Sequence, residues 1–166
     1  MRGCLMSITL RRRSRRAQLG TLLRRPWADK WLLVQVFVLL GITRLAINIL
    51  PFRRLARRFG PLRVETPEQA SAAELAAARR IAWAIHRISP YTPWKSNCFP
   101  QALTAKLLLR RRAIPSTLYL GAAFKRDGLT GSQSGMEAHA WLRCGPRYVT
   151  GGRGHEHFGT VGVFGE

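Results

Sequence analysis

The spacing of apolar and polar positions changes character twice along this chain. From Trp31 to Ile42 apolar residues run almost unbroken for about a dozen positions, short of the roughly 20 that a membrane span needs. Arg44 interrupts the run, and LAINIL then carries it on to Pro51. A buried or interface helix is the first reading of this stretch, a membrane-surface helix the second and a true span the last. In FRRLARRFG the spacing turns helical: Phe52, Leu55, Ala56 and Phe59 share one face, and the arginines lie opposite. Gly60-Pro61 stops it. Residues 61–70 read as a linker ending in a helix start, with Thr66 as N-cap, Pro67 at the first position and Gln69 three on. That helix is expected to run to Pro90, with Leu75, Ala78, Ile81 or Ala82, and Ile85 as its apolar stripe. After the loop YTPWKSN, a second helix opens near Cys98 and closes before Ile114-Pro115. Beyond Pro115 the period falls to two. STLYLGAAF, MEAHAWLRC and YVTGG read as strands and FGTVGVF as a fourth. A turn-forming, flexible loop, KRDGLTGSQSG, joins the first two, and a tight GPR turn the next two. Helices followed by an antiparallel meander make the class α+β. The chain divides into a basic flexible tail (1–25), an N-terminal helical segment (26–60) and a folded domain (61–166).

Charge sharpens this division. The 166 residues carry 28 Lys+Arg against 8 Asp+Glu, a formal net charge of +20. Residues 1–64 hold 15 basic residues and one acidic, so most of the excess lies in the first third. Such a balance points to an anionic membrane surface or an acidic polypeptide as partner. Nucleic acid is not expected, because no zinc-finger spacing, aromatic-interleaved sheet motif or helix-turn-helix is present. The three cysteines, Cys4, Cys98 and Cys144, match no metal-site spacing, and an odd count argues against a disulfide framework. A reducing cytoplasm is the natural setting, with peripheral contact at the inner membrane as the extension the basic segment allows. No Walker-type loop occurs, so neither a nucleotide nor another cofactor is expected, and no metal.

The chemistry centres on a thiol at a helix start. Ser96 or Asn97 can cap the helix, which leaves Cys98 in its first turn. There the helix dipole favours a thiolate, and the unpaired backbone N–H groups can hold an oxyanion. A thiol needs a base, and His139 is the best placed of four histidines. It lies mid-strand in EAHAWL, a stiff mount, with Trp141 on the same sheet face. His86 reads as a helix-surface residue. His155 and His157, in the Gly-rich GGRGHEH, make a thin metal site at most. Cys144 reads as packing and Cys4 as incidental. Taken singly, Cys98 is as readily a packed thiol and His139 a structural histidine; the two together point to nucleophilic catalysis.

CFPQALTAKLLLRRRAIPSTLYLGAAF followed by AHAWLRCGPRYVTGG resembles the B2 family of lasso peptide biosynthesis, transglutaminase-like cysteine proteases. The likeness extends upstream through ARRIAWAIHRISPYTPWKSNC and RLAINILPFRRLARRFG, from roughly residue 30 to the end. It implies a transglutaminase-like or papain-like core over 61–166. It also implies a leader peptidase that frees the core of a ribosomally made precursor peptide for closure by a separate lasso cyclase. A B1-type leader-recognition protein would present the precursor, since this chain resembles the split form. Cys98 matches the family's nucleophile and His139 its base. The family's third residue, an aspartate about a dozen positions after the histidine, falls at or near Gly151, and no aspartate follows Asp127. The resemblance therefore leaves Glu156, a water or a backbone carbonyl to orient His139, and Trp94 to line the oxyanion site. Two other readings stand beside it: transfer of the acyl group to an amine, as a transglutaminase or acyltransferase does, and a non-catalytic membrane-associated scaffold.

Overall fold

The computed structural model describes residues 26–126 and 133–166. The tail assigned to 1–25, with Cys4, and the centre of the loop after the first strand lie outside the described residues. Among the described residues four α-helices come first: α1 (Trp27–Ile49), α2 (Phe52–Ala56), α3 (Ala72–Ile88) and α4 (Cys98–Arg110). Four strands follow: β1 (Thr117–Arg126), β2 (Gln133–Cys144), β3 (Arg147–Thr150) and β4 (Gly159–Gly165). The protein is α+β, with an N-terminal helix added to a helix-and-sheet core.

Two helix boundaries differ from the sequence reading. Arg44 does not break α1, which continues as one helix of 23 residues. Its stripe Leu32, Val36, Leu39, Leu40 and Thr43 is buried, and Arg44 lies off that stripe. The third helix begins five residues after Thr66, at Ser71. The Ser71 hydroxyl accepts from the Glu74 N–H, and the Glu74 carboxylate accepts from the Ser71 N–H at 2.6 Å, a complete capping box. Thr66 has other work. Its N–H donates to Thr117 Oγ1 at 2.9 Å, and the two hydroxyls lie 2.8 Å apart, which ties the linker to the start of β1.

The sheet order is β3-β2-β1-β4 and every pairing is antiparallel. The first three strands form the expected meander. The fourth leaves it and pairs with the far edge of β1. Phe164 is the reason: its ring enters the core beside Phe59, 5.4 Å between centroids, and closes the side of the sheet that a simple meander leaves bare. Period-two alternation then assigns the two faces. Leu118, Ala140, Leu142 and Cys144 face the helices and join one core with Val36 and Leu40 of α1, Ile81 and Ile85 of α3, and Leu108 and Leu109 of α4. Tyr119, His139, Trp141 and Arg143 occupy the other face. There the buried Arg143 guanidinium donates to Tyr119 Oη, Gly145 O and Thr66 O, and pairs with Glu65.

Candidate active site

Asn97 stands at the N-cap of α4 in extended backbone but makes no side-chain cap bond. A helix cannot bond its own first N–H groups, and Pro100 contributes none. Those of Cys98 and Phe99 are therefore the donors of this first turn, and the Asn97 side chain does not cap them. The loop in front is held by its own polar groups. Thr92 Oγ1 lies 2.9 Å from Ser89 O, 3.0 Å from Trp94 O and 2.8 Å from Ser96 Oγ, and Gln101 Nε2 donates to Ser96 O at 2.6 Å. Behind the thiol, Ala102, Ala105 and Leu109 are fully buried, so the helix that carries Cys98 has little freedom to shift.

His139 is fixed from three sides. Its ring stacks on Trp141 at 5.8 Å and on Phe158 at 4.9 Å. Trp141 in turn stacks on Tyr119 at 5.5 Å, nearly parallel. The space for this stack comes from Gly121, which pairs with His139 across the β1–β2 ladder. A Cβ at Gly121 would lie 2.7 Å from the Trp141 ring and 2.8 Å from Phe158 Cβ. The third hold is a hydrogen bond, 2.8 Å from His139 Nε2 to Gly151 O. A carbonyl only accepts, so Nε2 carries the proton. In the neutral ring Nδ1 is then the basic nitrogen.

Cys98 and His139 line one cavity of about 810 Å³. It runs along the β3 edge, where residues 146–153 form a wall, and His86 and Gln101 close the helical side. This edge lets one cavity reach both the helix carrying Cys98 and the opposite sheet face carrying His139. Both side chains line this cavity, and among the described residues no hydrogen bond joins them. Thr150 also lines it, and its buried Oγ1 has no partner among the described residues. Arg147 and Arg153 add two exposed cations to the lining, which includes no carboxylate.

The two remaining sequence candidates lie elsewhere. Glu156 Oε2 is 3.2 Å from His155 Nδ1, and its side chain is largely exposed. The group bonded to His139 is the Gly151 carbonyl. Trp94 is outside the cavity lining: its ring packs over Gly41 and against Phe37, 5.2 Å between centroids, and pins the loop before Cys98 to α1. Sequence reasoning missed Gln101, Thr150, Arg147 and Arg153. Gln101 follows Cys98 by less than a turn, Thr150 lies within YVTGG, and Arg147 and Arg153 flank it; the nearness of Gln101 to Cys98 was the available signal. His155 packs its ring on Tyr148 at 4.4 Å and has Gly152 O 2.6 Å from Nδ1, beneath the cavity wall.

The core model of the transglutaminase-like superfamily matches residues 46–163, from the last turn of α1 into β4. The chain belongs to the transglutaminase-like superfamily. Comparisons with curated proteins and with solved structures gave no match. The matched span of this transglutaminase-like chain holds both Cys98 and His139, together with every residue that lines their cavity. The inner stripe of α1 that precedes residue 46 packs into the same core.

Proposed function

We propose that this transglutaminase-like protein is a cysteine peptidase that cleaves the leader from a ribosomally made lasso peptide precursor. The observation that carries the reading is the shared cavity: a thiol at an uncapped helix start and a histidine held in one tautomer open onto the same space. Nδ1 of His139 takes the Cys98 proton, and the thiolate attacks the leader–core amide. The N–H groups of Cys98 and Phe99 hold the oxyanion, and His139 returns the proton to the departing core amine. Water then hydrolyses the leader thioester. Catalytic hydrogen bonds are often long in free enzymes and tighten in the substrate complex; the hydrogen bond between Cys98 and His139 forms when substrate binds.

Arg147 and Arg153 favour an acidic stretch of leader along the β3 wall, and Thr150 Oγ1 offers the peptide backbone a buried hydrogen bond. A B1-type recognition protein delivers the leader, and the freed core amine passes to the lasso cyclase. The test is to incubate the chain with a B1-type partner and the precursor and follow product mass. Wild type is expected to release a leader heavier by one water, and Cys98→Ala and His139→Ala to release none. A leader carrying an amine instead of water makes the protein an acyltransferase. Release that survives Cys98→Ala overturns the catalytic role of that residue and leaves the scaffold reading.

A further inference from the structure

Helix α1 is apolar on two sides, and the protein uses only one of them. The inner stripe is buried against α3 and α4, with Thr43 Oγ1 3.2 Å from Thr104 Oγ1 and the Asp29 carboxylate paired with Arg80. On the outer side Trp31, Val34, Val38, Ile42, Leu45 and Ile49 follow one another at three- or four-residue intervals, each at least half exposed. Trp27 opens the same line, four fifths exposed. At 1.5 Å per residue the stripe is about 34 Å long, far beyond the scattered exposed apolar residues of an ordinary surface.

Charge identifies the occupant. Arg53, Arg54, Arg57 and Arg58 are exposed immediately beyond the C-terminal end of the stripe, and Arg24 and Arg25 precede Trp27 in sequence. The segment's one carboxylate, Asp29, is buried in its ion pair. An apolar line with tryptophans in its first turns, Lys30 beside Trp27 and arginines beyond its far end suits an anionic bilayer surface. A second copy of the chain would bring a net charge of +20 against +20.

We infer that the outer face of α1 docks the protein flat on anionic membranes, through the Trp27–Ile49 stripe and the exposed Arg53, Arg54, Arg57 and Arg58. The helix is long and apolar enough to cross a bilayer. A span would strip Leu32, Val36, Leu39 and Leu40 from the core and break the Asp29–Arg80 pair, so α1 lies in the interface and keeps its inner face on the domain. The docking is independent of which bond the cavity cleaves.

Flotation of the full chain with phosphatidylglycerol-containing vesicles, and with phosphatidylcholine vesicles alone, tests it. The expected result is about tenfold more protein with the anionic vesicles, declining as salt is raised. V38D/I42D is expected to lose this binding about tenfold, and R53Q/R54Q/R57Q/R58Q to lose the preference for anionic lipid. The thermal melt of V38D/I42D should match wild type, since both positions are exposed; if it does not, W31S/I49S replaces it. Flotation with neither vesicle, or V38D/I42D floating as wild type does, overturns the inference. A concentration-dependent dimer that V38D/I42D dissolves, without flotation, overturns it as well and assigns the face to a second copy.

Discussion

At position 151 the backbone has a φ of +67°, and a Cβ would lie against Ala140 O. No side chain fits there, while the carbonyl of the same residue holds His139 Nε2. Placing an aspartate here by Gly151→Asp is therefore expected to damage the protein, lowering stability by roughly 2–4 kcal/mol through strain and overlap. A thermal melt against wild type checks this. Glu156→Ala should leave cleavage within about twofold, because an exposed pair with His155 contributes little; a steady-state assay decides it. Thr150→Val separates stability from function. Removing a buried, unpartnered hydroxyl should leave the melt unchanged or raised, whereas loss of one hydrogen bond to substrate should lower kcat/KM about fivefold. Cys98 and His139 could be picked out as candidates in the sequence because the roles proposed for them belong to side chains, and the structure brings both to one cavity. The holder of His139 was not, since any residue could supply that carbonyl. Gly151 does leave a trace, the GG of YVTGG, but it reads as the end of a strand until the fold shows what crowds it.

At the scale of elements, the sequence pattern located each helix and strand and misjudged two connections. Thr66-Pro67 has the grammar of a helix start, yet SAAE five residues on has it too and satisfies both ends of the capping box. Only the fold shows that the Thr66 hydroxyl is claimed by Thr117. Ser71→Ala should cost about 1 kcal/mol and lower the melting temperature by about 3 °C, without altering the cavity. The crossing of β4 was likewise hidden, because local alternation says nothing about which edge a strand joins; Phe164 decides it by filling the core. Such non-local choices, and the single helix that runs through Arg44, are settled by packing rather than by propensity.

At the scale of the whole molecule, Lys106 joins the helical and sheet layers from inside. Its Nζ donates to Ser116 O at 3.0 Å and Phe164 O at 3.3 Å, and burial pushes it down to about 8, with Glu166 pulling it back and Arg110 adding to the fall. The unfolded chain holds this proton up to about 10.4. Between the two values the unfolded state binds more protons, so the lysine's contribution to stability rises with pH through that window, by on the order of 3 kcal/mol. The buried Cys144 thiol is pushed up by burial and acts in the opposite sense above its unfolded value. Comparing denaturant unfolding of wild type and Lys106→Met from pH 7.5 to 10.5 isolates the lysine: the stability difference should shift toward wild type as pH rises, and a flat difference would count against the burial cost.

The claim on which the rest depends is that His139 activates Cys98, and it can be tested without knowing the substrate. The rate of Cys98 alkylation by iodoacetamide at neutral pH, with the label located by peptide mass, should be at least about tenfold faster in wild type than in His139→Ala. Cys144, 1% exposed, should stay unlabelled in the folded protein. Equal rates in the two proteins would contradict the pairing and make Cys98 an ordinary half-buried thiol.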